Sequence, residues 1–492
     1  MATTTDDAVA TGTGFSRRDF LKLSAAAGGM AGMASLLGLG ATAEVAHAAT
    51  TYDTIDDMIP INMDEFERFD QRNVAFMRSR VPTGLIPPED TDDPELMAKI
   101  WGTDPTYTFE PGDPGFTQID NAFYEGGRAT YHTMGASVTG SGMSVESSVN
   151  FKTPDGKLVP WNMFAQTSAS FPNAGPGWFD VAEKQYEFDN PSHAAYAVKK
   201  AAKMFGADLV GIAPYDERWV YRTEVSFPKD MKGEVIPELV DLNKPVDMGF
   251  TPKSVIVLAF EMSYEAFKGG AGTTIVTGAT MTGYSRMAEV SLRLAVFLRK
   301  LGYKTYHCGN NASSSVSEAI RAGLGEPGRL SILITEEYGP RVRLAKVYTD
   351  LEFEYDKPKS FGVTEFCEVC QLCADACPTQ AIPHISINDP ENKPFNKMNM
   401  PGVHKYYLNA QRCLLQWFNV DFMNRTGGGG GDCGICIGVC PYNKPEAWHH
   451  DVIKIVTGIP GLNSLARYFD GFFGYGGIPD RQTLTDFWRK DV

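Results

Sequence analysis

Eight of the nine cysteines in this 492-residue chain fall in one short stretch, between residues 367 and 440. The first four stand two, two and three residues apart and are followed by proline: Cys367, Cys370, Cys373, Cys377 and Pro378. In this spacing, three neighbouring thiolates bind one 4Fe–4S cluster and the fourth binds a second cluster. The run therefore predicts a compact module built around two iron–sulfur clusters.

The remaining cysteines provide the other half of such a pair. Cys433, Cys436 and Cys440 precede Pro441, and Cys413 stands twenty residues upstream of Cys433. In bacterial two-cluster ferredoxins, the last cysteine of each run ligates the cluster of the other run. By that crossover we expect cluster 1 on Cys367, Cys370, Cys373 and Cys440. We expect cluster 2 on Cys377, Cys413, Cys433 and Cys436.

Two other uses of eight cysteines are disfavoured by the spacing. An exported protein can form four disulfides, but disulfides give no reason for a repeated spacing that ends in proline. Zinc also binds four thiolates, but its sites usually show two separated C-x2-C pairs. The ninth residue, Cys308, is expected to be a small buried hydrophobic residue in a strand.

The segment 1–48 has the features of an export signal. Arg17 and Arg18 precede a weakly apolar stretch rich in Ala and Gly, which ends at Ala46-His47-Ala48. An arginine pair, a mild apolar region and a small-residue cleavage site are typical of a twin-arginine signal peptide. The alternative is a membrane anchor, but the many glycines make a poor spanning helix. The twin-arginine route exports folded proteins, which suits clusters that are inserted before export.

Charge and length limit what the rest of the chain does. The 45 Lys and Arg residues stand against 60 Asp and Glu residues, so the net charge is −15. Nucleic-acid binding needs clustered cations, so we expect no nucleic-acid partner. No strongly apolar stretch long enough to span a membrane follows the signal. The length predicts two or three domains, or one large core with an appended module.

Residues 49–190 are rich in Gly, Pro, Asp and aromatic residues and show little periodicity. We expect an N-terminal wrapping region of loops. Aromatic segments at 160–164 and 177–179 are candidates for the wall of an apolar pocket, although aromatic residues are more often core.

Residues 191–360 show clearer patterns of helix and strand. Helices are expected at 192–205, with Ser192 as N-cap and Gly206 as the stop, at 284–300 before Gly302, and at 316–322. Strands are expected at 209–213, 254–260, 303–307, 331–335 and 344–349, the last two pairing antiparallel around the 338–340 turn. This alternation predicts an α+β fold with an α/β-like core.

Several segments of the chain resemble the respiratory reductive dehalogenases. They are SRRDFLK in the leader, KMFGADLVGIAPYDERW at 203–219, GYSRMAEVSLRLAVFLRKLGY at 283–303, GPRVRLAKVYTDL at 339–351 and CPYNK at 440–444. The resemblance implies a nitroreductase-like core that binds a corrinoid, either cobalamin or a related cobamide, next to the ferredoxin-like module. It also implies that electrons pass through two 4Fe–4S clusters to a Co(I) corrinoid, which removes halogen from a small organohalide. The chain has no D-x-H-x-x-G motif, which fits a family whose cobalt is held without a protein histidine.

The resemblance further implies a tyrosine proton donor. Tyr284, expected to open the long helix after a Thr/Gly-rich loop, matches that residue. Arg343 matches its cationic partner, with Arg341 and Lys346 as alternatives if the strand register differs. A neighbouring guanidinium stabilises the phenolate, so we expect it to lower the tyrosine pKa from its usual value of about 10.

Two further residues are candidates for the same site. Asn310 matches an additional polar group near the substrate, and Thr280 is a candidate for cofactor contact. The implied domains are the signal 1–48, the wrapping region 49–190, the corrinoid-binding core 191–360, the ferredoxin-like domain 361–450 and a C-terminal extension 451–492.

The resemblance implies partners that the residues alone do not indicate. They are the twin-arginine translocation machinery, a small integral membrane anchor subunit and a respiratory electron donor. The expected location is peripheral, on the outer face of the cytoplasmic membrane. Two alternatives are an enzyme like epoxyqueuosine reductase and an exported iron–sulfur electron-transfer subunit. The first fits poorly with an export signal and an acidic chain, and the second leaves over 300 residues before the first cluster cysteine without a role.

Overall fold

A computed structural model describes residues 49–75, 112–133, 149–152, 158–161, 181–223, 243–419, 431–443 and 477–490. Outside these ranges lie the signal segment 1–48, the aromatic residues 162–164 and 177–179, and most of the C-terminal extension. Within them, no helix is long and apolar enough to cross a membrane.

Ten strands and eleven α-helices occur in the described ranges. The strands are β1 (Thr50–Thr51), β2 (Val149–Lys152), β3 (Leu158–Trp161), β4 (Leu209–Pro214), β5 (Ser254–Glu261), β6 (Thr305–Cys308), β7 (Glu326–Pro327), β8 (Leu333–Ile334), β9 (Val342–Thr349) and β10 (Lys359–Ser360). The helices are α1 (Ile55–Met58), α2 (Gln118–Thr133), α3 (Pro191–Phe205), α4 (Tyr264–Gly269), α5 (Thr274–Lys300), α6 (Ser315–Arg321), α7 (Val363–Cys370), α8 (Leu372–Asp375), α9 (Ala410–Asn419), α10 (Ile435–Gly438) and α11 (Arg481–Asp486).

A four-stranded antiparallel sheet forms the centre, in the order β4-β5-β9-β6. Because successive side chains of a strand point to opposite faces, β9 presents Arg343, Ala345 and Val347 on one face and Leu344 and Lys346 on the other. The first face packs against α3 and α5. The second packs against α6 and residues of the N-terminal region. The sheet is therefore buried between two layers, as the α+β expectation requires.

Helix α3 shows why the sequence folds as it does near the sheet. Its N-cap is Asn190, whose side chain accepts a hydrogen bond from the His193 backbone N–H at 2.9 Å, with Pro191 in the first turn. Gly206 ends the helix in the left-handed conformation, with φ of 113°. The predicted stop is confirmed, and the predicted N-cap Ser192 is wrong because Asn190 caps the helix and Pro191 begins it.

The 27-residue helix α5 crosses the molecule and packs closely on α2. The two helices approach through glycines: a Cβ on Gly278 would lie 2.4 Å from the Phe123 ring, and one on Gly127 would lie 2.6 Å from the Gly278 carbonyl oxygen. Ser285 adds a hydrogen bond from its hydroxyl to the Gly127 carbonyl at 2.6 Å. Gly278 and Gly127 therefore permit the contact that fixes the position of α5.

The N-terminal end of α5 also packs against the second cysteine loop. The Gly272 N–H donates to the Cys433 carbonyl at 2.7 Å, and the Asp432 N–H donates to the Thr277 hydroxyl at 2.9 Å. A Cβ on Gly434 would lie 2.6 Å from the Val276 side chain. The cysteine module and the core thus share one hydrophobic cluster, which includes residues of α4, α5 and the cysteine loops.

Several predicted elements are confirmed, with shifted ends. The strands predicted at 209–213 and 254–260 are β4 and β5, the strand at 303–307 is β6 beginning at Thr305, and the helix at 316–322 is α6. Cys308 is buried in β6, as expected. The 16-residue α2 lies in the region that we expected to consist of loops.

Two predictions about the core are wrong. The long helix begins at Thr274 rather than Tyr284, because its Thr- and Gly-rich first turns are buried against α2 and the cysteine loop. The strands predicted at 331–335 and 344–349 do not pair with each other. β8 pairs with β7, and β9 pairs with β5 and β6, while a single bridge joins Thr335 and Gly339.

Candidate active site

A tyrosine, an asparagine and an arginine from three different segments meet beside the central sheet. The Asn310 amide donates a hydrogen bond to the Tyr284 hydroxyl at 2.6 Å. The guanidinium carbon of Arg343 lies 4.0 Å from the centroid of the Tyr284 ring, within the range of a cation–π interaction. Both neighbours are hydrogen-bond donors, so neither of them takes the proton of the phenol. All three residues are partly exposed to solvent.

Strand geometry distinguishes Arg343 from the two alternative cations. Arg343 lies on the face of β9 that packs against α5. Arg341 shares that face but forms an ion pair with Glu261 at 2.7 Å and donates to the Met262 carbonyl at 2.6 Å. Lys346 lies on the opposite face. Arg343 is therefore the one of the three that lies over the Tyr284 ring.

Lys346 instead supports the loop that bears Asn310. Its ammonium donates to the Asn311 carbonyl at 3.2 Å, the Ser313 carbonyl at 3.0 Å and the Ser315 hydroxyl at 2.8 Å. An ammonium group has three donors, so these bonds use all of them. The buried Lys346 therefore holds the segment between β6 and α6 in place and positions Asn310 toward Tyr284.

A glycine beside Tyr284 makes room for the arginine. A Cβ on Gly283 would lie 2.6 Å from Cγ of Arg343, closer than real Cβ contacts. Gly283 sits inside α5, where glycine lowers helix stability by about 1 kcal/mol relative to alanine. Its small size is what lets the Arg343 side chain cross the helix and reach the phenol ring.

Burial raises the pKa of Tyr284 above its usual value. Arg343 acts in the opposite direction through its positive charge, Asp432 raises the pKa further, and the hydrogen bonds from Asn310 and Arg343 lower it. The guanidinium therefore lowers the pKa of Tyr284 as expected, but burial of the phenol raises it by more. The net effect keeps the phenol protonated at neutral pH, which is the state that a proton donor needs.

Thr277 and Asp432 connect the helix that bears Tyr284 to the cysteine loop. Thr277, Thr280 and Tyr284 recur on one face of α5, and the first two are buried. Thr277 hydrogen bonds to the backbone of Asp432, which directly precedes Cys433. Seven residues separate Thr277 from Tyr284, a rise of about 10 Å along the helix. Thr280 lies between them on the same face.

The eight predicted cluster cysteines lie near one another, and charge effects link their thiols. Cys373 interacts with Cys367, Cys370 and Cys440, and also with Cys436. Cys436 interacts with Cys377, Cys413 and Cys433, and also with Cys440. These links are compatible with the ferredoxin crossover, and the assignment of each cysteine to a cluster stays a prediction.

The cysteine surroundings fit iron–sulfur clusters. Burial raises the pKa of Cys367, Cys413 and Cys433 to about 12, so coordination to metal is needed to deprotonate them at neutral pH. Backbone N–H groups donate to sulfur from Arg329 to Cys367 at 3.5 Å and from Ala381 to Cys377 at 3.2 Å. Across the described ranges, no three His, Cys, Asp or Glu side chains converge in a way that suits a single metal ion. A cubane differs from a single ion because each thiolate binds its own iron corner.

Polar atoms of Arg343 and of Asn311, the residue after Asn310, fit an additional bound molecule. Nε of Arg343 and both amide atoms of Asn311 are buried without a hydrogen-bond partner among the residues that the structure describes. Buried polar groups are nearly always paired. A corrinoid has amide side chains around its rim, and these offer both donors and acceptors to such atoms. The residues present therefore fit a corrinoid bound beside the trio.

Sequence reasoning missed three contributors to this region: Gly283, Lys346 in its role as a support of the loop, and Asp432. Only Asp432 had a local signal, because it stands next to a predicted cluster ligand. Gly283 and Lys346 act through contacts with residues far away in the sequence, and no local pattern indicates such contacts.

Known protein families and relatives match large parts of the chain. Residues 366–444 match the 4Fe-4S dicluster domain family, and residues 14–34 match the twin-arginine translocation pathway signal sequence. A tetrachloroethene reductive dehalogenase of Desulfitobacterium hafniense is 38% identical over 427 residues, which cover 77% of this chain and 73% of that protein. One of Dehalobacter restrictus is 40% identical over 381 residues, covering 68% and 67%. The chain belongs to the reductive dehalogenase family.

Family membership confirms the resemblance inferred from the sequence segments, and the signal match supports export by the twin-arginine route. A solved catabolic reductive dehalogenase, in complex with 3-bromo-4-hydroxybenzoic acid, has the same fold with a TM-score of 0.59 and 18% identity. The match covers 90% of this chain and half the length of that structure. The reductive dehalogenase fold of mixed helices and strands, with a dicluster domain near the C-terminal end, is therefore shared.

Proposed function

We propose that this chain is the catalytic subunit of a reductive dehalogenase that removes halogen from a small organohalide, used as a terminal electron acceptor. The observation that supports this most strongly is the Tyr284–Asn310–Arg343 trio in a chain of this family. A protonated phenol between an amide donor and a guanidinium is suited to giving a proton to a carbon centre. The proposed class of substrate, small organohalides, is supported by the relatives, which are tetrachloroethene reductive dehalogenases.

Tyr284 is the proposed proton donor, and the loss of its proton creates a phenolate. Arg343 stabilises that phenolate by its charge, and Asn310 stabilises it by its hydrogen bond. Both groups are already in place before the reaction, so the developing charge needs little reorganisation around it. The trio thus provides positioning and electrostatic stabilisation for one proton transfer.

A corrinoid, when bound, supplies the electrons that break the carbon–halogen bond. Arg343 Nε and Asn311 are the proposed polar contacts to it, with Thr280 on the adjacent helix face. We further propose that residues 191–360 form a nitroreductase-like core around this site. Residues 361–450 form a ferredoxin-like domain in the proposed division of the chain.

The eight cysteines described above would hold two 4Fe–4S clusters, which would supply those electrons. Cluster 2 is the proposed immediate electron donor to the corrinoid. Asp432 lies next to Cys433 in the chain, and its charge raises the pKa of Tyr284, so this cysteine loop lies near the tyrosine. Cluster 1 then receives electrons first. The respiratory donor, the small membrane anchor subunit and the peripheral position on the outer face of the cytoplasmic membrane are parts of the same proposal.

Metal analysis combined with turnover tests this function. Protein matured with a corrinoid available is expected to contain about one cobalt and about eight irons per chain, since each cubane has four irons. It is also expected to release halide from at least one of a set of chlorinated ethenes, ethanes and benzenes with a reduced dye as electron source. Eight irons without cobalt, in folded protein, would contradict the corrinoid site. One cobalt and eight irons without halide release from any compound would contradict the organohalide substrate.

A further inference from the structure

A fully buried arginine lies against the cluster 1 cysteines and has no part in the function proposed above. Arg329 stands in the turn between β7 and β8, and its Nε donates to the Cys367 carbonyl at 2.9 Å. Its Nη1 donates to the carbonyls of Pro383 and Ile385, both at 2.8 Å. The guanidinium carbon lies 4.2 Å from the centroid of the Tyr406 ring. The side chain is thus fixed on all sides.

The partners of this guanidinium are dipoles rather than a carboxylate. Within the described part of the chain, no Asp or Glu forms an ion pair with Arg329. The nearest acid in its network is Glu368, which it reaches through the Tyr406 hydroxyl. A buried charge without a counter-ion is strongly destabilising. The Glu368 carboxylate interacts with this charge only at a distance, through Tyr406. An anionic group directly beside Arg329 would provide closer compensation.

The cluster 1 cysteines are in the right place to provide that negative charge. The Arg329 backbone N–H donates to Cys367 Sγ at 3.5 Å, and its side chain donates to the carbonyl of the same residue. Four thiolates around an iron–sulfur cubane give the group a net negative charge. When the cluster takes up one electron, that charge becomes more negative by one, and a nearby cation stabilises the reduced form more than the oxidised form.

We propose that Arg329 raises the reduction potential of cluster 1 by holding a buried positive charge against Cys367. This positioning role requires the two clusters of the proposed function, but it does not require the corrinoid or turnover. It produces an asymmetry, because the positive charge of Arg329 acts on Cys367, whereas the charges that act on Cys413 and Cys433 are those of other thiols and of the buried Asp432. The buried Glu326 also acts on Cys367 and offsets part of the Arg329 charge. Electrons then reside preferentially on cluster 1, and cluster 2, which is closer to Tyr284, is the stronger reductant.

A redox titration of the holoprotein, monitored by electron paramagnetic resonance, tests this role. Cluster 1 is assigned as the signal that remains in the Cys413→Ala variant. In Arg329→Gln, the reduced-to-oxidised ratio of cluster 1 at a fixed potential is expected to fall at least tenfold, equivalent to about 59 mV for one electron. Cluster 2 is expected to keep its potential. An unchanged cluster 1, or equal shifts of both clusters, would overturn the proposal.

Two variants separate charge from packing. Arg329→Lys keeps the positive charge while losing most of the hydrogen bonds, so the reduction potential of cluster 1 is expected to stay close to that of the unchanged protein. A fall in that potential as large as in Arg329→Gln would refute the electrostatic account. Arg293→Gln is the matched control, because Arg293 is an exposed arginine that pairs with Glu289 on α5. Neither cluster is expected to respond to it.

A third variant covers the case in which Arg329→Gln does not assemble cluster 1. Glu368→Gln removes a negative charge from the same network and keeps an acceptor for Tyr406 and for the Ile387 N–H. The potential of cluster 1 is then expected to rise, and no rise would contradict the proposal. Failure of the dehalogenase function would look different, because halide release would be absent while both potentials could still be measured.

Discussion

At the scale of single residues, opposing influences act on one proton. Burial favours the neutral phenol of Tyr284, while the charge of Arg343 and the hydrogen bond from Asn310 favour the phenolate. Burial prevails, so the pKa is raised and the proton is present at neutral pH. The two donors become most favourable only after the proton has left, and an interaction that is stronger in the transition state than in the ground state accelerates the step.

Replacing Tyr284 by Phe removes the proton and leaves the ring. We expect the variant to retain its cobalt and iron and to lose most dehalogenation, a fall of about a hundredfold or more that is typical for loss of a general acid. Halide release and metal content measured on the same preparation check this. Normal turnover with full metal content would exclude Tyr284 as the donor.

The pH profile gives an independent check on the same residue. Since the pKa of Tyr284 is raised, kcat is expected to fall only above pH of about 10, the usual value for tyrosine. Arg343 lowers that pKa, so Arg343→Gln is expected to move the alkaline fall to still higher pH while reducing kcat. A shift toward neutral pH would contradict the electrostatic role of Arg343.

At the scale of elements, helix α5 joins the two halves of the site. Its first turns contact the Cys433 loop, and its middle presents Tyr284 to Arg343 on β9. The sequence predicted the second half of this helix but not its first ten residues. Thr and Gly have low helix propensity, and the packing that overrides propensity comes from α2 and from a loop about 155 residues further along the chain.

Gly283→Ala tests how closely this helix must approach the sheet. The added methyl group would lie 2.6 Å from Cγ of Arg343, so we expect the guanidinium to leave the Tyr284 ring and kcat to fall about tenfold or more. Alanine also favours helix by about 1 kcal/mol. The loss of activity is therefore expected without a comparable loss of thermal stability.

Gly126→Ala is the matched control for this change. Gly126 also lies in a helix, α2, and a Cβ there would meet nothing within 4 Å. It is expected to leave turnover unchanged and to raise stability slightly. Equal activity in the two variants would show that Gly283 is not needed for the position of Arg343.

At the scale of the whole molecule, cysteine spacing was the most informative feature of the sequence. It predicted the iron–sulfur module that the dicluster family match at residues 366–444 supports. The division of the eight cysteines into two groups of four, with the long-range partners Cys377 and Cys413, stays a prediction. The sheet was only partly predictable. Five strands were located within a few residues, but the pairing of β9 with β5 and β6 joins residues up to 95 positions apart. Local patterns contain no information about such partners.

Cys413→Ala tests this crossover at the scale of the whole chain. Cys413 lies on α9, far in sequence from the run that begins at Cys367, yet its thiol is grouped with Cys377 and Cys433. Removing one of four thiolates is expected to cost cluster 2, so the iron content should fall from about eight to about four per chain. Cluster 1 should remain visible by electron paramagnetic resonance.

Cys308→Ala is the control, because Cys308 is a buried cysteine in β6 that belongs to neither predicted cluster. This variant is expected to keep all eight irons. Retention of about eight irons in Cys413→Ala would remove Cys413 from cluster 2 and require a different fourth ligand.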